Sequence, residues 1–211
     1  MQNKSLLRRL ANAWLTICRM YLSPFKHKYG AIGENSYIRV PAMIDGYENI
    51  FLGKNVSIKG NCTILTVGDG KVVFKDNSGA AVGLTVITSN HKRPIGVPKV
   101  HNRDNKYATI IIEEEVTIGA HCTLLPKAHI GRGCIIGACS VIRSEIPPYA
   151  IVMGNPAKVI GFRYKPEEIV QHEELLYKPS ERIPLSVLSE NYEKFYLRRI
   201  DEIKKYKSIL L

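Results

Sequence analysis

The chain has 211 residues, 45% of them hydrophobic, which suits one domain with appendages and excludes a sequence too poor in apolar residues to bury a continuous core. A net charge of +11 points to an anion, but the basic residues are dispersed, no nucleic-acid-binding motif accompanies them and no aromatics interleave with a basic stripe. Nucleic acid is therefore set aside, and five cysteines, an odd count without CxxC spacing, argue against a disulfide framework or a zinc site and favour a reduced, cytoplasmic protein.

Residues 6–22 place Leu6, Leu7, Leu10, Trp14, Ile17, Cys18 and Tyr21 among Arg8, Arg9 and Arg19, the pattern of an amphipathic helix. Charge interrupts it before the ~20 apolar residues of a membrane span, and no signal-peptide cleavage site follows. Such a helix suits a cap on the open end of the fold that follows, the preferred reading, or peripheral contact with a membrane surface.

An aliphatic beat of six then begins at Ile32, Ile38 and Ile44 and resumes two residues out of phase at Leu52, Ile58 and Ile64, so a bulge or loop is expected near Tyr47. Residues 67–86 are ragged but rich in β-branched residues and glycine, and are read as further coils. The segment 90–107 breaks the beat with Pro94, Pro98, five Lys or Arg and two His, and should leave the repeat as an excursion loop. The beat returns at Ile112, Ile118, Leu124, Ile130, Ile136 and Ile142, with Gly119, Gly131 and Gly137 directly after three of them. Four residues past each aliphatic stand Val116, Cys122, Ala128, Cys134, Ser140 and Ile146, mostly compact. A hexad with one bulky and one compact inward slot suits a short parallel strand and a tight corner, eased by the glycine; three such units close a triangular coil, and coils stack about 4.8 Å apart. Cys62, Cys122 and Cys134 share the compact slot and read as packing residues.

After Ile160 the repeat ends. Pro166 should start a short helix to Leu176, and Ser189 a longer one carrying Tyr192, Tyr196, Ile200 and Ile203 on one side. The domain boundaries expected are an N-terminal helical segment 1–29, a repeat domain 30–162 with loop 90–109, and a C-terminal helical extension 163–211.

The run IGAHCTLLPKAHIGRGCIIGACSVIRSEIPPYAIVMGNPAKVI, with TSNHKRP before it, resembles the hexapeptide-repeat acyltransferases, in particular galactoside, maltose and streptogramin acetyltransferases. The resemblance implies a mainly β fold, a left-handed parallel β-helix with excursion loop, usually a homotrimer, with acetyl-CoA held in a groove between subunits. It implies His91 as the catalytic residue, a general base whose ordinary pKa near 6.5 suits it to take a hydroxyl proton. Asn61 and Asp69 match sugar-contacting positions, although ordinary turns explain GNC and GDG nearly as well. Asn90 could orient substrate or hold the loop. Ala120 and Ala138 match the wall of the pantetheine tunnel, and Arg143 and Ser144 match contacts to CoA after the final coil. Lys158 matches a basic phosphate position; a second such position is Gly161 here, a departure for which Arg163 is near enough to substitute. Val116 and Thr117 replace an aromatic that often precedes the IG of late repeats, which alters the acceptor or pantetheine wall. His121 and His129 fall on outward positions and His27 and His172 in the flanks, so each reads as structural; His101 is a minor candidate for ligand contact.

The leading expectation is an acetyl-CoA-dependent O-acetyltransferase acting on a sugar or envelope polysaccharide precursor, without a metal. The alternative is a xenobiotic acetyltransferase of the streptogramin or chloramphenicol type. A non-catalytic β-helix or a carbonic-anhydrase-like protein is the third class, for which the histidine spacing gives no support.

Overall fold

The computed structural model describes residues 2–22, 28–92, 94–98 and 105–210. Its centre is a mainly β, parallel solenoid. The first coil is β1 (Ala31–Ile32), β2 (Tyr37–Ile38) and β3 (Ala42–Asp45); the second is β4 (Ile50–Leu52), β5 (Ser57–Ile58) and β6 (Cys62–Leu65); the third is β7 (Val72–Phe74), β8 (Gly79–Ala80) and β9 (Thr85–Ile87). A hairpin, β10 (Ser89–His91) with β11 (Asn105–Tyr107), then leaves the stack. The fourth coil is β12 (Ile110–Ile112), β13 (Thr117–Ile118) and β14 (Thr123–Leu124), the fifth β15 (His129–Ile130), β16 (Ile135–Ile136) and β17 (Val141–Ile142), and a partial sixth holds β18 (Glu145–Ile146) and β19 (Ala150–Met153). β20 (Lys158–Phe162) folds back antiparallel on β19 and ends the stack.

Strands of successive coils pair in register into three faces: β1, β4, β7, β12, β15 and β18 on face one; β2, β5, β8, β13, β16 and β19 on face two; β3, β6, β9, β14 and β17 on face three. Corner I joins faces one and two, corner II joins two and three, and corner III joins three to the next coil's face one. Both inward slots of the hexad are filled as the repeat requires, with Ile112, Val116, Ile118, Cys122, Leu124, Ala128, Ile130, Cys134, Ile136, Ser140 and Ile142 all buried. At about 25 cal/mol per Å² of apolar area, each fully buried Ile contributes roughly 1.5–3 kcal/mol. The phase slip is a 3₁₀ turn at Tyr47–Asn49, and the ragged region 67–86 is an ordinary coil.

The glycine after the aliphatic has a different job from the one expected. Gly119 is not left-handed; a Cβ there would lie 2.6 Å from Ala138 N, so the missing side chain lets the next coil stack closely. The left-handed residue stands two positions later, as Asn35, Asn55, Asn77, Glu115, His121 or Cys139, each with φ near +57°. Asn suits this conformation because its short side chain bonds locally. At corner I the Asn55 amide donates to Asn77 at 2.9 Å and the Asn35 amide to Asn55 at 3.3 Å, a ladder running up the first three coils.

The two ends of the chain behave differently. Helix α1 (Gln2–Tyr21) runs beside β3 but does not close the open coil: Ile32 remains 51% exposed, so the expected cap is not formed among the described residues. The C-terminal extension begins with α2 (Pro166–Leu176), as Pro166 foretells. Ser189, expected to start a helix, lies inside α3 (Leu185–Phe195), which begins after Pro184. The expected single long helix breaks at Tyr196 and a 3₁₀ turn before α4 (Ile200–Leu210), yet Ile203 still packs inward at 3% exposure.

Candidate functional site

The candidate residues separate onto three corners. Asp69, Asn90, His91, Arg143 and Ser144 lie along corner III, between strands of face three and the following strand of face one. Asn61, Ala120 and Ala138 lie along corner II, and Lys158, opposite Met153 in the β19–β20 pair, ends that same column. Arg163 follows the other end of β20, at corner I, where its backbone N–H donates to the Tyr149 carbonyl. Within one chain the four residues of β6 stand between Asn61 and the corner of Asp69, about 13 Å of strand. Arg143 and Ser144 sit two coils past His91, roughly 10 Å along the stack.

His91 leaves the solenoid on a rigid base. Thr88, completely buried, accepts a hydrogen bond from Val67 N–H through Oγ1 and from Ala108 N–H through its carbonyl, tying both hairpin strands to the coil below. Tyr107, opposite Ser89 in the hairpin, lays its ring on Gly68, where any Cβ would come within 2.6 Å of the ring; Gly68 also has φ +58°, so the position is closed to other residues on both counts. The loop carrying Asp69 is thereby packed under the stem that carries Asn90 and His91. Both of these are exposed on the single chain. Thr88 and Tyr107 escape a reading of the sequence; the available signal was a Thr two residues past the aliphatic at both Ile64 and Val86.

At corner II, Ala120 accepts a hydrogen bond from Cys139 N–H at 2.8 Å, so Ala120 and Ala138 stack on adjacent coils as a small-residue wall. Between this wall and the His91 column lies face three, whose outward side chains from the second to the fourth coil, Thr63, Leu65, Thr85, Ile87, Thr123 and Leu125, carry no charge, with Arg143 following on the fifth.

The two candidates for a CoA phosphate, Lys158 and Arg163, are already engaged. Lys158 pairs with Glu202 of α4 at 3.2 Å, with both side chains more than half exposed. Arg163 donates to the Gly133 carbonyl at 3.0 Å. With the length of β20 separating them, Lys158 at its start and Arg163 just past its end, the two do not converge on one phosphate.

Corner I holds the C-terminal extension. Glu173, 1% exposed, accepts from Arg132 at 3.1 Å, from Tyr149 OH at 3.0 Å and from Ile183 N–H, while Arg132 also pairs with Glu114 and stacks 3.9 Å over the Tyr177 ring. Burial alone would raise the Glu114 carboxyl, but its own backbone N–H, Arg132 and Lys75 hold it below the ordinary carboxylate value. Glu115 accepts from Tyr177 OH at 2.9 Å and lies 3.2 Å from His172. His129 lies 2.9 Å from Glu113, and the His121 ring rests where a Cβ of Gly83 would be. His27 and His101 lie outside the described residues. Burial pushes the thiols of Cys62 and Cys134 up to about 11 and about 12, so neither is a nucleophile near neutral pH. Among the described residues no three His, Cys, Asp or Glu side chains converge as a metal site requires.

Comparison with known proteins gives four findings. The bacterial transferase hexapeptide family (six repeats) matches residues 109–144. A galactoside O-acetyltransferase of Escherichia coli (strain K12) is 31% identical over 138 residues, 65% of this chain and 66% of that protein, so the chain spans just under two thirds of this relative. Among solved structures, a maltose O-acetyltransferase of Clostridium difficile 630 matches with TM-score 0.56 and 25% identity over 62% of this chain and 68% of that one. A galactoside acetyltransferase in complex with coenzyme A shares the fold, with TM-score 0.60 and 23% identity over 83% and 88% of the two chains.

Proposed function

We propose that this chain, a hexapeptide-repeat protein with the coils of the bacterial transferases, is an acetyl-CoA-dependent O-acetyltransferase acting on a hydroxyl of a sugar or envelope polysaccharide precursor. The observation that carries the reading is the pair of columns flanking face three, a His-bearing corner on one side and a small-residue wall on the other. It is supported by the acetyltransferase relatives and by the coenzyme A bound in the neighbouring structure.

In this mechanism His91 takes the acceptor's hydroxyl proton as the oxygen attacks the thioester carbonyl. The tetrahedral intermediate collapses with cleavage of the C–S bond; the ester forms, and His91 returns the proton to the CoA sulfur. Lys158 meets a CoA phosphate, exchanging Glu202 for it, and the small side chains of Ala120 and Ala138 admit the pantetheine arm. Asp69 and Asn90 contact the acceptor beside His91.

An exposed base on a lone chain cannot exclude water from this reaction. Face three, uncharged outward from its second to its fourth coil, supplies the remedy in a homotrimer, where corner III of one copy meets corner II of the next, joining His91, Asp69, Arg143 and Ser144 to the neighbour's Asn61, Ala120, Ala138 and Lys158. The extension is stapled to corner I and touches corner II only where Glu202 meets Lys158. The test is transfer of labelled acetyl from acetyl-CoA to a panel of glycosides and nucleotide sugars, with streptogramin and chloramphenicol alongside. Turnover confined to the saccharides is expected; turnover on the antibiotics alone would establish the xenobiotic alternative.

A further inference from the structure

Helix α1 presents an apolar stripe to solvent. Leu6, Leu10, Trp14, Ile17 and Tyr21 follow at spacings of four, four, three and four, which puts them on one side, and each is between 46% and 65% exposed. The opposite stripe is Arg8, Asn12, Thr16 and Arg19. From it Thr16 and Arg19 line a cavity of about 700 Å³ against Met43, Tyr47 and Val67, so the polar side is the one turned to the solenoid. Gln2–Tyr21 contains arginines at 8, 9 and 19 and no Asp or Glu. Among the described residues no helix is long and apolar enough to cross a membrane.

We propose that α1 is an in-plane anchor for the surface of an anionic lipid bilayer. A 20-residue helix lies about 30 Å along such a surface, burying Leu, Ile and Trp at the acyl boundary while arginines reach the headgroups. Charge complementarity selects this occupant over a second copy of the helix. Two apposed α1 stripes would bring Arg9, on the flank of the stripe, toward its counterpart with no carboxylate in either helix to compensate, whereas anionic headgroups supply the missing charge. The inference is independent of acyl transfer, because binding is read without donor or acceptor.

Trp14 is the chain's single tryptophan, so its fluorescence reports on the stripe directly. The full-length protein is mixed with vesicles of phosphatidylglycerol and phosphatidylcholine, or of phosphatidylcholine alone. Expected are co-sedimentation, a blue shift and protection from acrylamide on the anionic vesicles. Arg8→Gln/Arg9→Gln/Arg19→Gln should weaken binding about 10²-fold, and Leu10→Glu/Ile17→Glu should abolish it while keeping the wild-type circular dichroism, since both side chains are exposed. Absence of binding, or equal binding to neutral vesicles, overturns the proposal. So does a fall in sedimented mass for Leu10→Glu/Ile17→Glu without lipid, which would assign the stripe to a second copy.

Discussion

At the scale of single residues, the proposed chemistry rests on His91, whose contribution is proton transfer from a stem fixed by Thr88 and Tyr107. His91→Ala should lower kcat by about 10²- to 10⁴-fold, the range for loss of a general base, while acetyl-CoA affinity stays unchanged in equilibrium binding. His129→Gln, which alters only a face-one contact with Glu113, is the matched control and should retain turnover. The basic pair divides differently. Lys158→Ala should raise KM for acetyl-CoA with little change in kcat, because a phosphate remote from the thioester is held equally in ground and transition states. Arg163, bonded to the Gly133 carbonyl at another corner, should leave KM alone and lower the melting temperature when replaced by Ala. Equal KM effects for the two would restore the single clamp that the resemblance suggests.

At the scale of elements, the extension is held by the carboxylates of corner I, and this makes its docking acid-sensitive. Glu114 titrates below its ordinary 4.5, so its contribution is complete above that value and is lost as pH falls through the lowered one. The melting-temperature difference between wild type and Glu114→Gln should therefore be constant above pH 4.5 and shrink below it; a difference that grows in acid would give the sign the other way. Glu173→Ala, which strips half-buried Arg132 and buried Tyr149 of a partner, should cost about 3 kcal/mol. The sequence discloses the coils because both inward hexad slots admit only aliphatic or compact residues, and it discloses the slip at Tyr47 because two extra residues have no other place to go. It conceals the corners. The left-handed position accepts Asn, Glu, His and Cys alike, so no residue type marks it, and the slip and excursion erase the phase that would assign Asn61 and His91 to different columns. Ser189 misled because a capping residue is equally at home within a helix begun by Pro184, and the stripe of α1 records that something covers it without saying what.

At the scale of the whole molecule, the solenoid keeps the two proposed half-sites on opposite sides of face three, the extension is stapled to the far corner and reaches corner II at the Lys158–Glu202 pair, and α1 stands beside the first coil with its apolar side outward. The central claim is that each site is built from corner III of one copy and corner II of another. Mixing tests it most directly: His91→Ala chains and Ala138→Trp chains, each inactive alone, are dissociated together and reassembled in equal amounts. A cyclic trimer of random composition pairs an intact His91 with an intact neighbouring wall at one interface in four, so about a quarter of wild-type turnover should return. No return of activity in mixed trimers of verified composition would place the whole site within a single chain and contradict the account.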